Sequence, residues 1–167
     1  MYIGVVSDTH GVFDDEFKSF LDPCDTIWHA GDWGGDDGFI DGICAYKPVV
    51  GVYGNCDGQN VRLRFPGHQF FDCEGRKVLM THIGGYPGHY DLRAQALIEN
   101  FRPDIFVCGH SHILKVMQDR RYNMLCINPG AAGIQGWHVV RTALRFKIER
   151  SEIKDMEVFN LQRTKNF

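Results

Sequence analysis

The sequence lacks several things, and each absence removes a class of protein. No apolar run approaches the length of a membrane-spanning helix, which takes about 20 residues. There is no CxxC pair among the six cysteines, Cys24, Cys44, Cys56, Cys73, Cys108 and Cys126. Zinc-ribbon spacing is therefore absent, and so is the dense spacing of a disulfide framework. FVCGH and MLCIN place two of these cysteines in apolar runs, where a free Cys behaves as a small hydrophobe. The N-terminus carries no basic stretch and no cleavage site, so no export signal is expected. Tyr2 occupies the position where N-myristoylation needs glycine. Reduced cysteines and no export signal give a cytoplasmic expectation. Charge of one sign is also missing. The formal net charge is −3 and the pI about 6.2, with no basic tract interleaved with aromatics. Extended nucleic-acid contact and binding to an anionic membrane are not expected. No repeat, linker or low-complexity tract interrupts the 167 residues, which read as one domain, 1–167, with a fraying tail at 162–167.

What is present is a rhythm of short apolar runs and turn signals. Strands are expected at 2–6, 25–29 and 48–53, alternating with helices at 14–21 and 37–46, which suggests parallel βαβ units. A hairpin is expected from 68–73 and 76–80 around Glu74-Gly75. A helix follows at 92–101, stopped by Pro103, then a strand at 104–108. The texture then changes. Runs at 114–119, 124–127, 139–148 and 153–161 read as strands without long helices between them. The expectation is a parallel portion feeding an antiparallel portion, in two packed sheets with helices outside. Late strands of this kind could leave an exposed edge, so self-association stays open.

The polar residues fall at strand ends. Asp8-Thr9-His10 follows the first strand and Gly31-Asp32 the second. Gly54-Asn55-Cys56-Asp57 follows the third. Thr81-His82 and Gly109-His110-Ser111-His112 follow two later strands. Ligands bind at the carboxyl ends of strands in α/β sheets. Residues at i and i+2 of an extended strand leave on one face, so Asp8 and His10 are expected to point together, as are His110 and His112. Singly, each is more readily a cap, a turn or a packed histidine. Together they deliver Asp8, His10, Asp32, Asn55, His82, His110 and His112 to one rim. That exceeds the four to six donors, roughly, that one first-row ion takes. Two ions about 3.5–4 Å apart, sharing a carboxylate, would use the set, with Asp32 the natural bridge. Imidazole, carboxylate and amide donors suit Mn, Fe, Zn, Co or Ni, and two such ions would favour an anionic substrate such as a phosphate ester.

In this order, DTH, GD, GNCD, TH and GHSH, with NPGA at 128–131, resemble the calcineurin-like metallophosphoesterase superfamily. The short length resembles its small YfcE-like branch, which also includes the retromer scaffold subunit of eukaryotes. The resemblance implies an α/β fold, a four-layer αββα sandwich of two mixed sheets. It implies two divalent ions, manganese foremost. Asp8, His10, Asp32 and His112 would hold one, and Asp32, Asn55, His82 and His110 the other. A metal-bridging hydroxide would then attack phosphorus. Asn55 and Cys56 would meet the substrate, a small phosphate ester. The family's usual GNHD histidine is Cys56 here, and a thiol is a poor substitute for imidazolium in protonating a leaving group. His89 is one candidate acid, or a solvated loop residue. Asp57 is grouped with His89 among the catalytic candidates, as a residue that orients a neighbour by hydrogen bonding, or it only caps the next helix. Cys56 as a covalent nucleophile has no base paired with it in sequence. His29 reads as a packed or supporting residue, His68 and His138 as solvent-facing, and Arg62 and Arg64 as phosphate-steering or solvated. The expected function is a divalent-metal-dependent phosphodiesterase or phosphatase. The alternative is a protein-interaction scaffold that kept the fold, which should show decayed ligands. A nuclease is a weaker option, on the charge balance.

Overall fold

The computed structural model describes residues 1–163. Its first half is β1 (Tyr2–Val6), α1 (Asp15–Leu21), β2 (Thr26–His29), α2 (Asp37–Tyr46), β3 (Val49–Gly51) and α3 (Gln59–Arg62). The hairpin β4 (His68–Cys73) and β5 (Arg76–Thr81) follows, then β6 (Gly85–Tyr86), β7 (His89–Tyr90) and α4 (Leu92–Phe101). The chain ends in β8 (Ile105–Val107), β9 (Leu114–Asp119), β10 (Met124–Pro129), β11 (Val140–Glu149) and β12 (Glu152–Gln162). Two stretches differ from expectation. The 84–89 stretch is not a plain loop but carries the two-residue strands β6 and β7, and α3 is one helical turn, too short to leave a periodic signature. Gln162, placed in a fraying tail, pairs with Val140 in β12, while residues 164–167 lie outside the described residues.

One sheet has the order β12-β11-β1-β2-β3 and the other β4-β5-β8-β10-β9. In the first, β1, β2 and β3 run parallel, and β11 and β12 add antiparallel beside β1. In the second, β5, β8 and β10 are parallel, flanked by antiparallel β4 and β9. The early-parallel, late-antiparallel division is therefore corrected. The last two strands return to the first sheet, so both sheets are mixed.

Alternation along β1 explains the layering. Ile3 and Val5 point into the sandwich with Trp28, Leu144 and Phe146, against Val78, Met80, Ile105 and Val107 of the other sheet. Val6 turns outward to Phe17 and Leu21 of α1. Gly4 shares that outward face, where an added Cβ would lie 2.5 Å from Leu21 Cδ2. Ile40 and Ile43 of α2 pack with Trp33 and Val61. On the far side, Leu79 and Phe106 turn outward to Ala94 and Ile98 of α4. Helices thus cover both outer faces, giving an αββα order. The central strands are buried on both sides and read as unbroken apolar runs such as Val78-Leu79-Met80. Each buried Leu, Ile or Phe in these layers contributes roughly 1.5–3 kcal/mol.

Candidate metal centre

The loops after β1, β2, β3, β5 and β8 meet at one edge of the sandwich. Asp8, Asp32 and His82 are buried there, and each carboxylate is held in the same way. Asp8 Oδ2 accepts from the His110 backbone N–H (3.1 Å), leaving Oδ1 turned to the centre. Asp32 Oδ1 accepts from the Cys56 N–H (2.9 Å), leaving Oδ2. Around Asp8 Oδ1 stand the Nε2 atoms of His112 at 3.1 Å, and of His10 and His82 at 3.9 Å. Asp32 Oδ2 lies 3.2 Å from His82 Nε2 and 3.8 Å from His10 Nε2. Two donor groups result, Asp8–His10–His112 and Asp8–Asp32–His82, each with its ligand atoms within 4.8 Å of one another. Asp32 was expected to be the single bridge. Asp8 is the residue common to both groups, and Asp32 reaches a histidine of each.

The reason these residues converge is not the extended geometry expected. β1 ends at Val6, and Asp8 and His10 both take left-handed backbone, at φ 54° and 44°. Asp32, His110 and His112 do the same at 54°, 70° and 60°. Non-glycine residues rarely adopt this region, and a cluster of them marks a site whose surroundings impose the conformation. Backbone bonds between loops do the imposing. Asp8 N–H donates to Gly31 O (2.9 Å), His10 N–H to Asp32 O (3.1 Å) and Gly109 N–H to His82 O (2.9 Å). Close approach also needs bare backbone at Gly54 and Gly109. A Cβ on Gly54 would fall on Asp32 Oδ1, and one on Gly109 on Ser7 Oγ and 2.8 Å from Asp8 Oδ2.

Partners on the far side of each ring fix the tautomers. His82 Nδ1–H donates to Ala30 O (2.7 Å), so its Nε2 presents a lone pair to two carboxylates. His138 Nε2–H donates to Gly133 O (2.9 Å), so its Nδ1 accepts from His112 Nδ1–H at 3.2 Å. That frees His112 Nε2 for the centre. His138, read as solvent-facing, is corrected to a half-buried support of a candidate ligand. An isolated His beside an exposed Trp carries no spacing signal, so the sequence could not show this. His29 is wholly buried and stacked on Trp33 at 3.8 Å. Its Nδ1 accepts from Gly31 N–H (3.2 Å), so Nε2–H donates to Thr9 Oγ1 (3.0 Å), which donates to Trp33 O (2.8 Å). Burial holds His29 neutral, down at about 3. Asn128, of the NPGA segment, donates to Gly109 O (2.9 Å) and Ser111 Oγ (3.1 Å) and so braces the GHSH loop.

Buried Asp8 and Asp32 would titrate high on burial alone. Neighbouring imidazoles, with the Cys56 amide at Asp32, outweigh burial and hold both below the ordinary carboxylate range. Burial likewise pushes His82 down, and Asp32 and Asp8 outweigh it and raise it. Among the described residues, Asp8 Oδ1 and His82 Nε2 are buried side-chain atoms with no hydrogen-bond partner. Unpaired buried acceptors are costly. A carboxylate oxygen and an imidazole lone pair left facing one another are what a divalent cation would satisfy. The residues present fit such an ion.

The other expected site residues lie differently. His110 is exposed at the rim, its ring edge-on to His82 at 5.3 Å. Asn55 and Cys56 are also exposed, with Asn55 Nδ2 donating to Cys56 Sγ (3.4 Å). Asp57, expected to take part in catalysis, is buried. Both of its oxygens are occupied, accepting from Gly34 N–H (3.1 Å) and Gly54 N–H (2.8 Å). It clamps two loops and does not cap α3, whose N-cap position is Gly58, since both of its oxygens are taken. His89, the candidate acid, is exposed on β7 and packs its ring on Tyr86 at 4.8 Å. The Cys56 thiol is pushed up by desolvation and by Asp32, which works against the thiolate that a nucleophile needs.

A family profile described as the calcineurin-like phosphoesterase superfamily domain matches residues 1–151. The chain belongs to that superfamily. A probable metallophosphoesterase from Methanothermobacter thermautotrophicus (strain Delta H) is 29% identical over 139 residues, covering 78% of this chain and 77% of its own. Among solved structures, one described as a novel archaeal phosphodiesterase superposes with TM-score 0.74 at 20% identity, over 96% of this chain and 100% of its own. Wild-type Vps29 from Entamoeba histolytica, in complex with zinc, superposes with TM-score 0.71 at 18% identity, over 98% and 100% of the two chains. At these identities the solved structures bear on the fold alone. Metal-dependent phosphoester hydrolysis is the chemistry of this superfamily's enzymes, and the chain carries candidate ligand groups for it. No helix among the described residues is long and apolar enough to cross a membrane, which says nothing of β-barrels.

Proposed function

We propose that the chain is a phosphodiesterase with a dinuclear centre, acting on a small phosphate ester. The observation that carries this is the pair of buried carboxylates, each tied by one oxygen to a neighbouring loop's amide and each turning the other toward a ring of imidazole nitrogens. Asp8, His10, Asp32 and His112 would hold one ion, and Asp32, Asn55, His82 and His110 the other, with Asp8 close to both. Bound ions of the manganese-to-zinc series, manganese foremost, would lower the pKa of water and neutralise charge on the phosphoryl oxygens.

The chain's own residues supply position. His138 and Ala30 O hold His112 and His82 in the tautomers that present lone pairs. Asn55 and Cys56, exposed at the rim, meet the ester. Cys56 keeps its proton near neutral pH but is a weak acid, so preferred substrates carry leaving groups that depart without protonation. The His89 imidazole is the other candidate donor of that proton. The six cysteines are all free, and residence in the reducing cytoplasm is part of this reading. A scaffold role on the same fold is the second reading, and a complete donor set weighs against it.

The test is hydrolysis of bis-p-nitrophenyl phosphate by metal-stripped protein with Mn2+ restored, beside Asp32→Asn. Metal-dependent turnover lost in the variant supports the proposal. Stoichiometric metal binding without turnover by any ion favours the scaffold, and failure to bind metal overturns both the centre and the enzyme.

A further inference from the structure

The centre opens into two grooves that differ in chemistry. One, of about 450 Å³, runs from Asn55 and His82 along Tyr53, Arg62, His68 and Arg93. The other, of about 350 Å³, runs from His110 along Tyr86, His89, Ile113 and Lys115. Ile83 and Asp91 line both and divide them. A phosphodiester has two arms, and a phosphorus held between these grooves would send one into each.

The first groove carries two guanidinium groups. Arg62 is built in: its Nε donates to Asp57 O (2.7 Å) and its guanidinium lies 4.4 Å over the Tyr53 ring. Arg93 follows the N-terminal cap of α4. Its backbone N–H donates to Asp91 Oδ1 (2.9 Å), but its side chain has no hydrogen-bond or ion-pair partner among the described residues. Asp91 is the one carboxylate lining this groove, and one of its oxygens, Oδ1, accepts from the first amides of α4. In the second groove the cation is spent differently. Lys115 Nζ lies 3.5 Å over the Tyr86 ring, beside exposed Ile113. One wall is thus suited to an oxyanion, which guanidinium groups bind with paired hydrogen bonds. The other is suited to an apolar or flat group.

Resting on the phosphodiesterase reading, we infer that the substrate is an asymmetric phosphodiester with a second anionic group, a carboxylate or a phosphate, on the arm that lies along Arg62 and Arg93. Arg93 is the specificity-determining residue, because Arg62 also holds the 54–57 loop.

Four p-nitrophenyl diesters with one leaving group test this: propyl, 2-carboxyethyl, 2-phosphoethyl and 2-(trimethylammonio)ethyl as the second arm. An ionic hydrogen bond of the usual strength gives an anionic arm a kcat/KM about tenfold or more above propyl, expressed in KM. The larger gain of the two anions identifies which group the groove takes. Arg93→Gln should bring the anionic-to-propyl ratio toward one, and Arg93→Glu should turn preference to the cationic arm. A wild-type ratio near one, or a ratio unmoved by Arg93→Gln, overturns the inference while leaving the phosphodiesterase intact. If no ester is hydrolysed, the phosphodiesterase reading fails by itself. Calorimetric titration of 3-phosphonopropanoate against propylphosphonate into the Mn2+-loaded protein and its Arg93→Gln variant still decides the groove. Equal affinities in all four titrations overturn it.

Discussion

Protonation of His29 should unfold this protein from the inside. The ring is wholly buried, stacked on Trp33, and committed at both nitrogens. Nδ1 accepts from Gly31 N–H, and a proton there would set donor against donor. Burial therefore keeps it neutral down to about 3 in the folded chain. In the unfolded chain it titrates near 6.5, approximately the model-peptide value. Above pH 6.5 both states leave it neutral, and its full contribution to stability is present. As pH falls below 6.5 the unfolded state takes up a proton that the folded state refuses, so stability is lost progressively down to about pH 3. At 1.36 kcal/mol per pKa unit, the loss between pH 8 and pH 5 is about 2 kcal/mol. The assay is urea unfolding of the EDTA-treated protein at both pH values, beside His29→Gln. Carboxylates and the remaining histidines titrate in both proteins and cancel in the difference. The wild type should lose about 2 kcal/mol more than His29→Gln over this interval. His29→Gln should be the less stable of the two at pH 8, because Gln cannot stack on Trp33 or reach both Gly31 and Thr9. Equal pH slopes, or a steeper slope in the variant, would refute the account of His29 as a neutral strut behind the Asp8–His10 loop.

Removing the ring behind a ligand should weaken metal binding without unfolding the chain. His138→Ala is expected to lower Mn2+ affinity by about 10–100-fold in a calorimetric titration, and unchanged affinity would show that His112 needs no support. Gly109→Ala should cost about 1–3 kcal/mol in urea unfolding and lower metal affinity as well, because its methyl group would fall on Ser7 Oγ and 2.8 Å from Asp8 Oδ2. A variant as stable as the wild type would mean the two loops are less tightly apposed than described. Lacking an imidazole at position 56, the enzyme should turn over aryl diesters at rates that fall steeply as the leaving phenol's pKa rises. Cys56→His should flatten that slope. A shallow slope in the wild type would point to another proton donor, with His89→Ala the next variant to measure.

The strands were legible because their apolar runs are short, bounded by Gly, Pro and Asp, and buried on both faces. β1 and β4 fall where the runs begin and end, as does α4 between Asp91 and Pro103. What periodicity could not say is which sheet a strand joins. Val140–Glu149 and Glu152–Gln162 look like any hairpin, and only the packing of Leu144 and Phe146 with Ile3 and Val5 places them beside β1. At the centre, the residue types after five strand ends were readable. Their supports were not, since His138 serves His112 from 26 positions away and His29 serves Thr9 from 20. Asp57 was half legible for a related reason. A residue that orients a neighbour by hydrogen bonding is one of its two readings, but its sequence neighbours could not show that the bonds run to Gly34 and Gly54.

Asp8 and His10 meet at one centre for a reason other than the one expected. Alternation in an extended strand would have placed both on one face, yet the strand stops at Val6 and the two residues share the centre through left-handed backbone. Left-handed residues of this kind cost about 1–2 kcal/mol each, somewhat less for Asp, whose short side chain bonds locally. A chain under pressure only for stability would place glycine at such positions, as it does at Gly11 and Gly31. Asp8, His10, Asp32, His110 and His112 keep carboxylate and imidazole side chains there. The loops can hold them because each is bonded to another: Asp8 to Gly31 and His110, Asp32 to Cys56, His112 to His138. The strain is thus distributed over contacts between distant segments. Five of the eleven non-glycine residues with positive φ among the described residues are expected to bind metal, and the other six, Glu74, Arg102, Asn123, Arg150, Ser151 and Asp155, lie outside the centre. At those five positions backbone cost coincides with donor chemistry. It is the expected signature of a centre pre-formed for a cation, in which orphaned Asp8 Oδ1 and His82 Nε2 find their partner only when the ion arrives.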